Sequence, residues 1–434
     1  MPESDVHADE PHVDDGAVPD SAADGAANGE PGVQPNDVAA SSDVGDVSIV
    51  ADHADDAEAA PTLAVPVPPA IPPVVDVADL DWTAIRDAVV ASGVRARMRD
   101  TVERMEMLLD REHGPGLLFD ADRAGADDRA IRVAALPTDA PLWIIGDLHG
   151  DLLALEAALA LARRDAGDGP PPRLVFLGDL FDDGGYGLEV LLRVFELILD
   201  APSRVCFLVG NHEEALGYTG AGFTATVSPS DFNDLLNAHL AHEWITRAGK
   251  LAVRLAASAP RALFLPDGLL VTHGGFPLVD LHDVLRATRD WNDPRCLTDF
   301  TWTRAHPRAR KKLPNRSSRG SQFGYEDFAA FCALATELER PVTHMVRGHD
   351  HVDERFEIYP AYFAHPVLTT VALSRRLPRE LFGPHVRVPT VARWIEGALP
   401  QVHRLLVPDA IVRELFPEEL ETEPVVAADA GGAA

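Results

Sequence analysis

Five short polar blocks recur in a fixed order through the middle of this chain. They are Gly146-Asp147-Leu148-His149-Gly150, Gly178-Asp179, Gly210-Asn211-His212-Glu213, His273-Gly274-Gly275 and Arg347-Gly348-His349-Asp350-His351. Each follows an apolar run, and each supplies Asp, Asn or His, donors that suit divalent cations of borderline character such as Mn, Fe or Zn. A lone His or Asp at such a place would more often serve structure. Here the candidate ligands occur together, and the steps from residue 147 to 179 and from 179 to 211 are both 32 residues. The chemistry that such a set suggests is a pair of cations lowering the pKa of a shared water. Hydroxide would then be available for in-line attack on a phosphoester.

The elements that must position these residues can be read from the runs before them. Pro141–Ile145, Leu174–Leu177 and Val205–Val209 are short, continuous and apolar, the pattern of strands buried on both faces. Between them, Leu152, Leu155 and Leu159 make one helix face, and Leu188, Leu191, Leu192 and Phe195 make another. Strand, helix, strand, helix, strand implies right-handed crossovers and parallel pairing. One strand plus one crossover accounts for the repeated interval, so Asp147, Asp179 and Asn211 should land side by side. Asp147 and His149 can share one cation because alternate residues of an extended segment face the same way. Asp179, on the middle strand, is the candidate to bridge two. Further strands are expected at Ala262–Leu265, Leu269–Thr272, Val342–Val346 and Val367–Leu373. The fold expected is α/β, with two mixed β-sheets packed as a sandwich and helices outside. Ligand sites then lie beyond the carboxyl ends of the parallel strands.

Composition bounds the rest. The formal charge of −31 is concentrated in the ends: residues 1–80 hold 18 acids and no Lys or Arg, and residues 418–434 hold five more acids. The remaining 81–417 are near −8, an ordinary balance for an enzyme, so the acidity belongs to tails and not to a halophilic surface. The expected organisation is a disordered acidic and Pro-rich tail over 1–79, a catalytic domain over 80–417 and a second acidic tail over 418–434. Such tails would repel nucleic acid and anionic membranes, and could dock a protein partner. Cys206, Cys296 and Cys332 form no CxxC pair, and the N-terminus lacks a basic and apolar leader; a cytoplasmic setting is expected.

With these motifs in view, residues 140–375 resemble the calcineurin-like metallophosphoesterases, in particular their Ser/Thr phosphoprotein phosphatase branch. Thr298-Asp299-Phe300-Thr301-Trp302 and Ser318-Arg319-Gly320-Ser321-Gln322-Phe323-Gly324 are similar to two further segments of that branch. The resemblance implies that Asp147 and His149 hold one metal, that Asp179 bridges, and that Asn211, His273 and His349 hold the second. It also implies that His212 is the general acid, that Asp182 orients it, and that Arg319 grips the phosphate. The substrate implied is a phosphoprotein. A dinucleoside polyphosphate or other small phosphoester is the alternative, and a catalytically inactive binding module the second.

Two departures matter. The branch carries Asp-Arg-Gly where this chain reads Asp182-Asp183-Gly184, so a carboxylate replaces a phosphate-gripping guanidinium. Compensating charge is expected from the basic stretch 304–319, or from Arg375 and Arg376. His351 is the second departure; it matches the Gly-His-x-His of the wider superfamily, which would make it a further ligand of the first metal. His365, His385 and His403 lack partners at ligand spacing and are expected to be structural.

Overall fold

A strand buried on both faces needs an apolar layer on each side, because its side chains alternate between faces. The computed structural model, which describes residues 71–417 except 91–92, 137–140, 311–318, 363 and 381–382, meets that need with two six-stranded mixed sheets. The first has the order β1 (Val74–Val77), β16 (Gln401–Leu405), β15 (Thr390–Trp394), β3 (Leu142–Ile145), β4 (Arg173–Phe176), β5 (Val205–Phe207). The second has the order β13 (Phe356–Ile358), β14 (Val367–Thr370), β12 (His344–Arg347), β9 (Leu269–Thr272), β8 (Ala262–Phe264), β2 (Ala130–Arg132). Two small pairs, β6 (Leu216–Tyr218) with β7 (Phe223–Ala225) and β10 (Arg304–Ala305) with β11 (Gln322–Phe323), lie outside the sheets.

The alternation sorts the core into three layers. Ile144, Val175, Cys206, Val271, Val346 and Leu368 meet in one cluster drawn from both sheets. Their neighbours along the same strands, Trp143, Phe176 and Phe207, turn the other way, into a layer shared with helices Leu152–Ala166 and Gly187–Asp200. On the far side Leu270, Met345 and Val367 pack with Phe328 and Phe331 of helix Tyr325–Glu337. Each fully buried side chain of this size contributes about 1.5–3 kcal/mol relative to an exposed one, so the layers hold the strands in fixed register.

The seven strands expected from apolar runs are all present, and β3, β4 and β5 are parallel neighbours. The expected tails lie outside the described residues, apart from 71–79, and so do Lys311, Lys312 and Arg316 of the basic stretch. Ahead of residue 80, Val74–Val77 adds a parallel edge strand to β16, consistent with its β-branched residues. No helix among the described residues is long and apolar enough to cross a membrane.

Candidate metal centre

Parallel neighbours end at the same edge of a sheet, and here two sets of them converge. The turns after β3, β4 and β5 deliver Asp147, Asp179 and Asn211; the ends of β9 and β12, parallel neighbours in the second sheet, deliver His273 and His349. The turns are tight and strained. Positive φ occurs at His149 (40°), Asp179 (53°), Asp182 (68°), Asp183 (61°) and His349 (67°), half of the ten such non-glycine residues among those described. Strain collects where a structure over-determines side-chain placement. Close approach is part of this: a Cβ on Gly210 would collide with the Asp179 carboxylate.

The result is two buried donor sets that share one residue. Asp147, His149, Asp179 and His351 form the first, and Asp179, His273 and His349 the second. In the first, His351 Nε2 lies 3.0 Å from Asp147 Oδ2 and 3.1 Å from His149 Nε2. In the second, His273 Nε2 lies 3.2 Å from His349 Nδ1 and 3.0 Å from Asn211 Oδ1. Both sets reach the same oxygen: Asp179 Oδ2 is 3.5 Å from His149 Nε2 and 3.4 Å from His273 Nε2.

The donors fit cations on grounds internal to the site. His149 Nδ1 faces the Phe181 carbonyl and His273 Nδ1 the Leu177 carbonyl, each at 3.1 Å. Each ring therefore donates from Nδ1 and keeps a lone pair on Nε2. For His273 that lone pair converges with Asn211 Oδ1 and Asp179 Oδ2, three lone-pair atoms that one divalent cation could take. Protonation agrees: burial draws His273 and His351 down to about 4 and His149 and His349 well below the usual imidazole range, leaving the neutral form that ligates. Burial pushes the Asp179 carboxyl well up. Burial pushes Asp147 the same way, but the hydrogen bond from His351 and the nearby histidines overcome it and hold Asp147 low.

Beside the donor sets stands His212, whose Nδ1 is 2.7 Å from Asp182 Oδ2. The Phe232 amide donates to Asp182 Oδ1 at 2.8 Å, so the carboxylate is fixed before it orients the ring. Burial opposes a charge on His212, yet Asp179 and Asp182 outweigh it and lift the ring to about 9. Arg319 lies with its guanidinium 5.4 Å from the Trp302 ring centroid and 3.9 Å from Glu214 Oε1, its side chain about half exposed. Of the other arginines expected to add charge, Arg375 is buried against the Phe416 ring at 4.1 Å, and Arg376 donates to the Gly383 carbonyl at 3.1 Å. His403 bonds Gln401 and packs near Trp143, and His365 bonds the Thr343 carbonyl.

Glu213 carries a role the sequence did not disclose. Its buried carboxylate accepts from the amides of Asp179 (2.8 Å), Leu180 (2.8 Å) and Gly210 (3.0 Å), tying the β4 and β5 turns together. The signal available was its place at the end of Gly210-Asn211-His212-Glu213, where an acid can turn back on the first residue of a helix. Glu213→Ala strands three buried donors at about 1–3 kcal/mol each. We expect a large fall in melting temperature together with weakened metal binding, read by calorimetry with and without metal; an unchanged melting point would contradict this role.

Comparison with known proteins places this geometry. Residues 140–353 match the family model for calcineurin-like phosphoesterases. The chain carries a calcineurin-like phosphoesterase domain. Among curated relatives, the phosphoesterase domain is similar to the serine/threonine-protein phosphatase 6 catalytic subunit of Caenorhabditis elegans, 24% identical over 241 residues, covering 53% of this chain and 65% of the relative. It is likewise similar to the PP2A-like phosphatase PPG1 of Candida albicans, 24% identical over 279 residues, covering 59% of this chain and 58% of the relative. The chain thus spans less than two thirds of the length of these curated relatives. Among solved structures, a serine/threonine phosphatase from Saccharomyces cerevisiae with similarity to human phosphatase PP5 superposes with a TM-score of 0.48 at 16% identity, covering 71% of this chain and 89% of that one. The phosphoesterase domain ends, in this match, just past His351, so the family model takes in every residue of both donor sets.

Proposed function

We propose that this metallophosphoesterase hydrolyses phosphomonoesters of the phosphoserine and phosphothreonine kind. The observation that carries the reading is the buried Asp182–His212 pair beside the two donor sets. A serine or threonine alkoxide departs poorly unless it is protonated, and a fixed, charged imidazole answers that need. Two divalent cations, held by Asp147, His149, Asp179 and His351 and by Asp179, Asn211, His273 and His349, would activate a water and screen the phosphoryl oxygens. Mn, Fe and Zn all suit these donors.

The chain's own residues supply the rest. His212 holds its proton on the imidazolium, gives it to the leaving oxygen and recovers one from water. Asp182 keeps the ring aimed, since its second oxygen is occupied by the Phe232 amide. Arg319, held over the Trp302 ring with its side chain about half exposed, is read as a further cation for the phosphate. The buried, unbridged thiols Cys206, Cys296 and Cys332 accord with a cytoplasmic setting.

Rates of the metal-loaded protein on a phosphoserine peptide and on a dinucleoside tetraphosphate, across Mn, Fe and Zn, test the reading. We expect the peptide to be the better substrate. Faster cleavage of the dinucleotide would move the activity to small phosphoesters, and no hydrolysis of either would abandon it.

A further inference from the structure

Asp183 poses a problem that the sequence leaves open, and the structure answers it from a distant part of the chain. Arg379 Nη2 lies 2.7 Å from Asp183 Oδ2, 3.1 Å from His351 Nδ1 and 3.5 Å from His149 Nε2. A guanidinium thus stands directly over the first donor set. It borders an open mouth of about 380 Å³ that Arg304, His349, Asp350, His351 and Glu380 also line.

The two cations at this mouth differ in how they are held. Arg304 is committed to the His349 carbonyl at 2.8 Å and Asp350 Oδ1 at 3.0 Å. Arg379 has one carboxylate partner on one side and keeps about a third of its side chain exposed to the mouth. Its backbone is also pinned. The next residue, Glu380, pairs with the fully buried Arg355 and accepts from the Leu377 amide at 2.8 Å, so the turn that carries Arg379 has little freedom. A guanidinium offers five donors in a flat fork, and one carboxylate oxygen engages only part of it.

We propose that Arg379 is the forked cation that grips the substrate's phosphoryl group, with Asp183 and Glu380 as the residues that position it. The inference rests on the phosphoester reading of the site and adds the residue that confers phosphate affinity in place of the arginine missing at 183. Asp183 is then part of the device: it holds one edge of the guanidinium and leaves the other edge for phosphoryl oxygens.

The test uses the metal-loaded full chain with Arg379→Ala, Arg379→Lys and the double variant Asp183→Asn/Arg379→Ala. The readouts are the KM for p-nitrophenyl phosphate, the Kd of inorganic phosphate by titration calorimetry, and metal content. A hydrogen bond to a charged group is worth about 1.5–3 kcal/mol, so Arg379→Ala should raise KM and the phosphate Kd roughly 10–100-fold. Metal content should hold, kcat should change less than KM, and Arg379→Lys should recover part of the affinity.

An arginine that merely neutralised Asp183 would become dispensable once that charge was gone. The double variant would then return to wild-type KM, and that result would overturn the inference. So would a KM and a phosphate Kd in Arg379→Ala within about twofold of wild type. Either result with an active wild type would sink this inference alone, whereas no hydrolysis by the metal-loaded wild type would sink the reading of the site and this inference with it.

Discussion

Asp179→Asn is expected to abolish turnover and to empty the site at the same stroke. The Asp179 carboxylate is shared by both donor sets, its Oδ2 lying within 3.5 Å of His149 Nε2 and of His273 Nε2. Losing an outer-shell partner of a metal ligand costs roughly 10–100-fold. A ligand common to two ions should cost well beyond that, and metal analysis beside a p-nitrophenyl phosphate assay will show it. A variant that kept both ions and wild-type turnover would remove Asp179 from the centre of the site.

Stability should move the other way from activity. Burial makes the charge on Asp179 costly in the metal-free fold, and the neighbouring His212 offsets only part of that cost. Asparagine is neutral, and its side-chain oxygen can still accept from the His212 amide, as Asp179 Oδ1 does at 3.0 Å. Without metal the variant should therefore melt no lower than wild type. Added metal stabilises wild type by mass action and should leave the variant unmoved. The separation matters because a variant that had simply misfolded would melt lower in both conditions.

This division between what a site needs and what a fold needs explains how much of the protein could be read from its sequence. Asp147, Asp179, Asn211, His273 and His349 were legible because each ends a short buried strand, and such strands announce themselves as continuous apolar runs. β15 and β16 were not, although they fill the space between β1 and β3. Their polar members hid them: Arg393 pairs with Asp165 at 3.0 Å and Arg404 with Asp76 at 3.0 Å, so solvated guanidinium tips interrupt the apolar pattern. Arg379 was illegible for another reason. It lies in Leu377-Pro378-Arg379-Glu380, a turn without motif or periodicity, and its meeting with Asp183 exists only after the chain has folded. Glu213 lay between these cases, visible as a type but not as the acceptor of three amides from two turns.

His212 offers the sharper test of chemistry, because its replacement should spare the metals. It falls in a third donor group with His149 and Asp183, so geometry alone would let it serve as a ligand. Its Nδ1 is committed to Asp182 at 2.7 Å, and its charge is favoured by Asp179 and Asp182. Those are the features of an acid, whereas a ligand must be neutral. We expect His212→Asn to retain full metal content, and to melt somewhat lower because the buried Asp182 loses its partner, while kcat on a phosphoserine peptide falls by about 10²–10⁴. On p-nitrophenyl phosphate the loss should be far smaller, since nitrophenolate departs without a proton. Equal losses on both substrates would mean that His212 assists something other than leaving-group departure, and lost metal would make it a ligand. Asp182→Asn should follow His212→Asn in direction but not in size, because an imidazole without its carboxylate is poorly aimed and less readily charged, yet still present to give a proton.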